Sequence, residues 1–152
     1  MAPTIREFQP PDARRIREIF QTSLASHGLR TDPEGSDTDL DDLDAYYSGG
    51  AFRVLADGED ILGMYGLRRD GDGVGELKKV YLDPAEKGKG YGKLMLEDAI
   101  RIARELGFGR LTLETNIKLV EAIGLYRSYG FIEAERERFS DQCDYAMALE
   151  IL

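Results

Sequence analysis

The sequence predicts one mixed α/β domain, spanning residues 1–152, with elements in the order β-α-α-β-β-β-α-β-α-β-β. Three observations carry that expectation. Short alternating apolar stretches are bounded by Gly, Pro and Asp, as strands are. Longer stretches carry apolar residues at helical spacing. The two kinds interleave along the chain, with no repeat, low-complexity tract or linker between them.

Residues 4–8 (TIREF) alternate and read as a short strand, ended by Pro10 and Pro11. A helix follows from about Asp12, with Ala13, Ile16, Ile19, Phe20 and Leu24 as its apolar stripe. Leu40, Leu43, Tyr46 and Tyr47 are spaced for a short second helix. Residues 51–56 and 61–67 flank an Asp-Gly turn and read as a hairpin. RRDGDGVG (68–75) is a second turn, and 76–82 is the third strand of the meander. After Pro84 comes a glycine-rich loop, then a helix whose face carries Tyr91, Leu94, Met95, Ala99, Ile102, Ala103 and Leu106 and stops at Gly107. Residues 110–115 form a strand, 119–129 a helix closed by Gly130, and 131–136 and 144–150 a final strand pair.

The bulk numbers narrow the function. The chain has 152 residues, enough for one core. A net charge of −9 argues against nucleic acid, which needs a basic surface. No apolar run approaches the roughly 18 residues of a membrane span, and MAPTIREFQPPD lacks the regions of a signal peptide. The single cysteine, Cys143, cannot form an internal disulfide, so a reducing cytoplasm is the expected location and a small core residue its expected role. His27 falls at a helix end and receives no catalytic role.

The negative charge is concentrated: Asp32, Glu34, Asp37, Asp39, Asp41, Asp42 and Asp44 stand between Arg30 and Arg53 with no Lys or Arg among them. Two readings are open. The segment is a solvated, capped helix, or it attracts a cationic acceptor. The first is the expectation, as for most charge runs.

The loop EKGKGYGK (86–93) is the most specific signal. It is not a Walker loop, because Gly92-Lys93 is followed by Leu94 where a metal-binding hydroxyl is needed. It is not a dinucleotide fingerprint either, because the third glycine is misplaced and residues 83–87 separate it from the strand. What remains is an anion site. Amides from Gly88 through Lys89, Gly90, Tyr91 and Gly92 to Lys93 stand at the positive end of a helix, unpaired by it. Glycine at 88, 90 and 92 lets phosphate oxygens reach them.

VYLDPAEKGKGYGKLML, followed by LTLETNIKLVEAIGLYRSYGF, resembles the paired motifs of the GNAT family of N-acetyltransferases. In that family, Arg/Gln-x-x-Gly-x-Gly/Ala holds the pyrophosphate of acetyl-CoA, and Lys87 stands here at its first position. The resemblance covers nearly the whole chain. It implies a mixed, mostly antiparallel sheet flanked by helices, and an enzyme moving an acetyl group from acetyl-CoA to a primary amine by direct attack. A non-catalytic acyl-CoA sensor of the same fold is the alternative.

The resemblance also assigns roles. Val80 and Leu82 would bind the pantetheine arm through their backbones, with the Val80 N–H as oxyanion donor. Tyr126 would protonate the departing thiolate, or else pack with Leu125 and Phe131. Asn116 would bond the pantetheine arm or cap the next helix. Glu76 would act as base, directly or through water, or sit solvated at a strand edge, and Glu114 is a second candidate. The reaction calls for no metal. An amine-bearing small molecule or peptide is the implied partner, with no membrane or nucleic acid, and homodimers are common in the family.

Overall fold

The computed structural model describes residues 2–32, 35, 37–140 and 142–151. Glu34 of the acidic segment lies outside them, as do Met1 and Leu152 at the ends of the expected domain. The elements are β1 (Thr4–Glu7), α1 (Ala13–Ser26), α2 (Leu43–Tyr46), β2 (Ala51–Asp57), β3 (Asp60–Arg69), β4 (Val74–Leu82), α3 (Tyr91–Glu105), β5 (Arg110–Thr115), α4 (Val120–Ser128), β6 (Ile132–Glu133) and β7 (Tyr145–Glu150). Their order is the expected one.

The strands form one open sheet in the order β1-β2-β3-β4-β5-β7-β6. Neighbours are antiparallel except β4 and β5, which run parallel. β2 is apolar on both faces because both faces are covered. Phe52 and Val54 join the core beneath α1, with Ile16, Ile19 and Phe20, while Leu55 joins the core beneath α3, with Met95, Leu96 and Ala99. The stripe of α3 is turned from its expected face. Leu94 is 39% exposed, whereas Leu96 and Ile100 are buried beside Ala99 and Ala103. α3 packs against β3, β4 and α4 together, and that surround selects the stripe.

Two strand bounds differ for a physical reason. β4 starts at Val74, so Glu76 is an interior residue of the strand, and it is 1% exposed. β6 is only Ile132–Glu133, because the chain beyond it turns inward and brings Arg136 to Glu76, Nη2 to Oε2 at 3.0 Å.

The acidic segment is likewise more than a solvated face. Asp41, Asp42 and Asp44 are exposed, and Asp42 caps α2 by accepting from Ala45 N at 3.1 Å. Asp39 is buried. It accepts a hydrogen bond from the Tyr47 hydroxyl at 2.5 Å, and Lys79 Nζ lies 3.1 Å from Asp39 Oδ1 and 3.1 Å from Asp37 Oδ1. Burial, reinforced by the Asp39 charge, pushes the Tyr47 phenol upward, so Tyr47 stays the donor.

Candidate active site

β4 and β5 are joined over only three residue pairs, Val74–Arg110, Gly75–Leu111 and Glu76–Thr112. Beyond them β4 follows β3 to Leu82 and β5 follows β7 to Thr115, so the two strands part. A bulge accompanies the parting. The β3–β4 register shifts between Met64 and Gly66, and Lys79 has φ 55°. Past the bulge, Asp83 N donates to Leu62 O, and Tyr81 opposes Met64 on the same side. Antiparallel alternation then turns the backbone groups of Val80 and Leu82 away from β3 and into the gap. Ser23 Oγ of α1 donates to the Leu82 carbonyl there at 2.8 Å.

Asp83 sets the exit from β4. The Ala85 amide and the Arg15 guanidinium, 3.0 and 2.5 Å from its oxygens, hold its carboxyl below the usual carboxylate range. After one tight turn at Pro84–Glu86, Gly88 and Gly90 adopt φ 82° and 83°, a region open to glycine and strained for residues with a Cβ. Leu94 N donates to Gly90 O at 3.2 Å, which leaves the amides of Tyr91, Gly92 and Lys93 without helical acceptors. Gly92 has a second role. A Cβ there would lie 3.3 Å from Leu125 Cδ2, so glycine lets α4 approach the loop closely.

Loop, gap and α4 enclose a cavity of about 330 Å³. Val80 and Leu82 line it from β4, Lys87, Gly88, Gly90, Tyr91, Gly92 and Lys93 from the loop, and Tyr126 with Leu125 and Ala122 from α4. Tyr126 is 5% exposed with its ring 5.5 Å from Phe131, so it packs in the core and reaches the cavity at once. Burial pushes its phenol upward, which keeps the proton on oxygen at neutral pH.

A smaller opening of about 100 Å³ adjoins this cavity through Tyr81 and Leu119, which line both. Its other lining includes Lys78, Lys79, Glu114, Asn116, Gln142 and Cys143. Cys143 is therefore a half-buried wall residue and not a core residue. Burial, followed by the Glu114 charge, pushes its thiol up to about 11, which leaves little thiolate at neutral pH.

The model of the acetyltransferase (GNAT) family matches residues 13–131 of this chain. The chain belongs to the GNAT acetyltransferase family. Members of the family take their acetyl group from acetyl-CoA. The uncharacterized N-acetyltransferase YjgM of Escherichia coli K12 is 35% identical over 137 residues, 86% of this chain and 82% of that one. A GNAT acetyltransferase of Staphylococcus aureus Mu50 superposes with a TM-score of 0.92 at 22% identity, over 99% of this chain and 100% of that one. YncA of Salmonella typhimurium, solved with its cofactor acetyl-CoA, gives a TM-score of 0.76 at 24% identity, over 99% and 95% of the two chains. At these identities the structural likeness speaks for the fold.

In this GNAT chain nine of the expected site residues share the larger cavity: Val80, Leu82, Lys87, Gly88, Gly90, Tyr91, Gly92, Lys93 and Tyr126. Three do not. Lys89 points outward, its Nζ 2.6 Å from Glu86 Oε2. Asn116 lines the smaller opening and braces the turn before α4, with Nδ2 donating to Gln142 O at 2.6 Å and Oδ1 accepting from Lys118 N at 2.9 Å. Leu119 occupies the N-cap position of α4, so Asn116 is not its cap.

Glu76 lines neither opening. Its Oε1 accepts from Arg68 Nε at 3.1 Å and its Oε2 from Arg136 at 3.0 Å, so the expected solvated edge is an internal ion-pair cluster. Glu114 joins the same cluster, 3.3 Å from Arg136 Nε, and accepts a hydrogen bond from the Ser140 hydroxyl. Sequence reasoning missed Ser23, Ser26 and His27, which line the cavity from the end of α1. Their only sequence signal is that α1 ends there. The Ser23 carbonyl accepts from His27 Nδ1 at 3.1 Å, which holds the ring against its own helix.

Proposed function

We infer that the chain transfers an acetyl group from acetyl-CoA to a primary amine by direct attack in a ternary complex. One observation carries this reading. A single cavity is lined by the glycine loop, by Val80 and Leu82 on the stretch of β4 that β5 leaves, and by Tyr126. The pyrophosphate of the coenzyme binds the amides at the start of α3, where the helix dipole favours negative charge. The pantetheine arm then lies along Val80 and Leu82 as an added strand.

The reaction follows from that pose. The amine nitrogen enters from the smaller opening as the free base, its ammonium having lost a proton to water. It attacks the thioester carbon, and the Val80 N–H donates to the oxyanion that forms. The C–S bond breaks as the tetrahedral centre collapses. Tyr126 gives its proton to the sulphur and recovers one from water, while the new amide loses its surplus proton to solvent. The departing thiolate, whose conjugate acid has a pKa of about 8.5, is a weaker base than the phenolate Tyr126 would become, so the transfer is uphill and is drawn forward as water returns a proton to Tyr126. Both oxygens of Glu76 remain with Arg68 and Arg136 throughout.

Thiol release from acetyl-CoA across amines, amino acids and peptides tests the reading. In parallel, Gly90→Val puts a branched Cβ where φ is 83° and should lower coenzyme affinity at least tenfold by calorimetry. Unchanged affinity in a folded Gly90→Val chain would remove the glycine loop from the site.

A further inference from the structure

We propose that Asp39 and Lys79 form a clamp that holds the β4 bulge and so aims the Val80 amide at the thioester oxygen. Both are then positioning residues for acetyl transfer, and the proposal rests on the reading above. Lys79 has φ 55°, a conformation that L residues leave unless held. Its side chain is 8% exposed, and its Nζ lies 3.1 Å from both Asp37 Oδ1 and Asp39 Oδ1.

Asp39 is itself fixed. Its side chain is fully buried, and Oδ2 accepts from Tyr47 at 2.5 Å. Tyr47 in turn stands against Gly66, where a Cβ would come within 2.5 Å of Tyr47 Cε1. Gly66 is the β3 partner of Lys78, the residue that precedes the bulge. The contacts therefore close a circuit from Lys79 through Asp39, Tyr47 and Gly66 back to Lys78. Neither Asp39 nor Tyr47 lines the larger cavity, and Lys79 lines the smaller opening alone of the two, so the clamp reaches the thioester through the Lys79 backbone. Val80, the next residue, is the one whose amide turns into the gap.

Glycine separates geometry from charge. The chains carrying Asp39→Asn with Lys79→Gly, and Asp39→Asn with Lys79→Ala, lose the same two ion pairs and keep an acceptor for Tyr47. They differ in whether residue 79 occupies positive φ without strain. The alanine chain should show kcat about tenfold below the glycine chain, since the left-handed conformation disfavours alanine by about that factor. KM for acetyl-CoA should match in the two, because the phosphate loop is untouched. Equal kcat overturns the clamp and leaves acetyl transfer standing. Absence of thiol release by the unaltered chain would instead sink the acetyl-transfer reading. The clamp is read independently from the Val80 amide cross-peak in a 1H–15N spectrum. That peak should move in the glycine chain by no more than the change of preceding residue accounts for, and further in the alanine chain; equal displacements overturn the proposal.

Discussion

Tyr126→Phe isolates one proton. The ring is 5% exposed and lies 5.5 Å from Phe131, and phenylalanine preserves both the volume and that contact. Burial is what shifts its phenol, with no charged neighbour involved, so deletion of the hydroxyl strands no ionic partner. Stability should therefore hold, with Tm moving by no more than about 2 °C. The rate should not. A positioned general acid contributes about 10²–10⁴-fold, so the barrier rises by about 2.7–5.4 kcal/mol if protonation of the thiolate limits turnover. The assay is the initial rate of thiol release at saturating acetyl-CoA and amine, with coenzyme affinity measured by calorimetry on the same preparations. Affinity should be unchanged. A kcat within threefold of the unaltered chain, at equal affinity, refutes the acid role and returns Tyr126 to packing alone.

Two further predictions concern groups whose environment the structure fixes. Burial works against the Asp98 carboxylate, but hydrogen bonds from Tyr65 at 2.6 Å, Arg53 at 2.7 Å and Arg101 at 2.7 Å outweigh it and hold the carboxyl below its usual range. Asp98→Ala leaves the nearly buried Arg53 with the exposed Glu7 carboxylate and the Ile5 carbonyl, and should cost about 3 kcal/mol, a Tm loss of about 6–12 °C. Because the folded value is depressed, this contribution is full above the unfolded carboxylate value of about 3.9 and fades as pH falls below it. Melting curves of the two chains should therefore converge in acid, and a gap that stays constant below pH 4 contradicts the network. For Cys143, a thiol pushed up to about 11 predicts slow alkylation by iodoacetamide at pH 7.5, rising about tenfold per pH unit towards that value. Fast labelling of the folded chain at neutral pH contradicts the burial.

Much of this architecture is legible because apolar spacing is a local property. Ile16, Ile19, Phe20 and Leu24 announce α1 by spacing, and the Asp-Gly turn announces the β2–β3 hairpin without reference to anything distant. The glycine loop is legible for a similar reason, since its backbone needs are written into residue type. Long-range partnership leaves no such trace. Asp39 looks like its six acidic neighbours until Lys79, forty residues on, buries it. Glu76 reads as a strand end because Arg68 and Arg136 approach it from separate elements. The bulge is the least legible feature of all, since Lys79 is a residue type that rarely takes positive φ.

The parting of β4 from β5 also bears on how this chain avoids sticking to copies of itself. A strand edge with free amides and carbonyls is a template for any other extended chain. At the outer margins of the sheet that hazard is limited by length, because β1 has four residues and β6 two. The edge of β4 at Val80 and Leu82, which no strand pairs, instead lies in the interior, walled by α4, the glycine loop and the end of α1, with Ser23 on the Leu82 carbonyl. A foreign strand carries side chains on alternate faces and meets those walls. A slender, nearly unbranched chain such as a pantetheine arm does not. On the acetyl-transfer reading proposed above, the seam is a filter on thickness: it offers strand pairing to a partner too thin to be a protein.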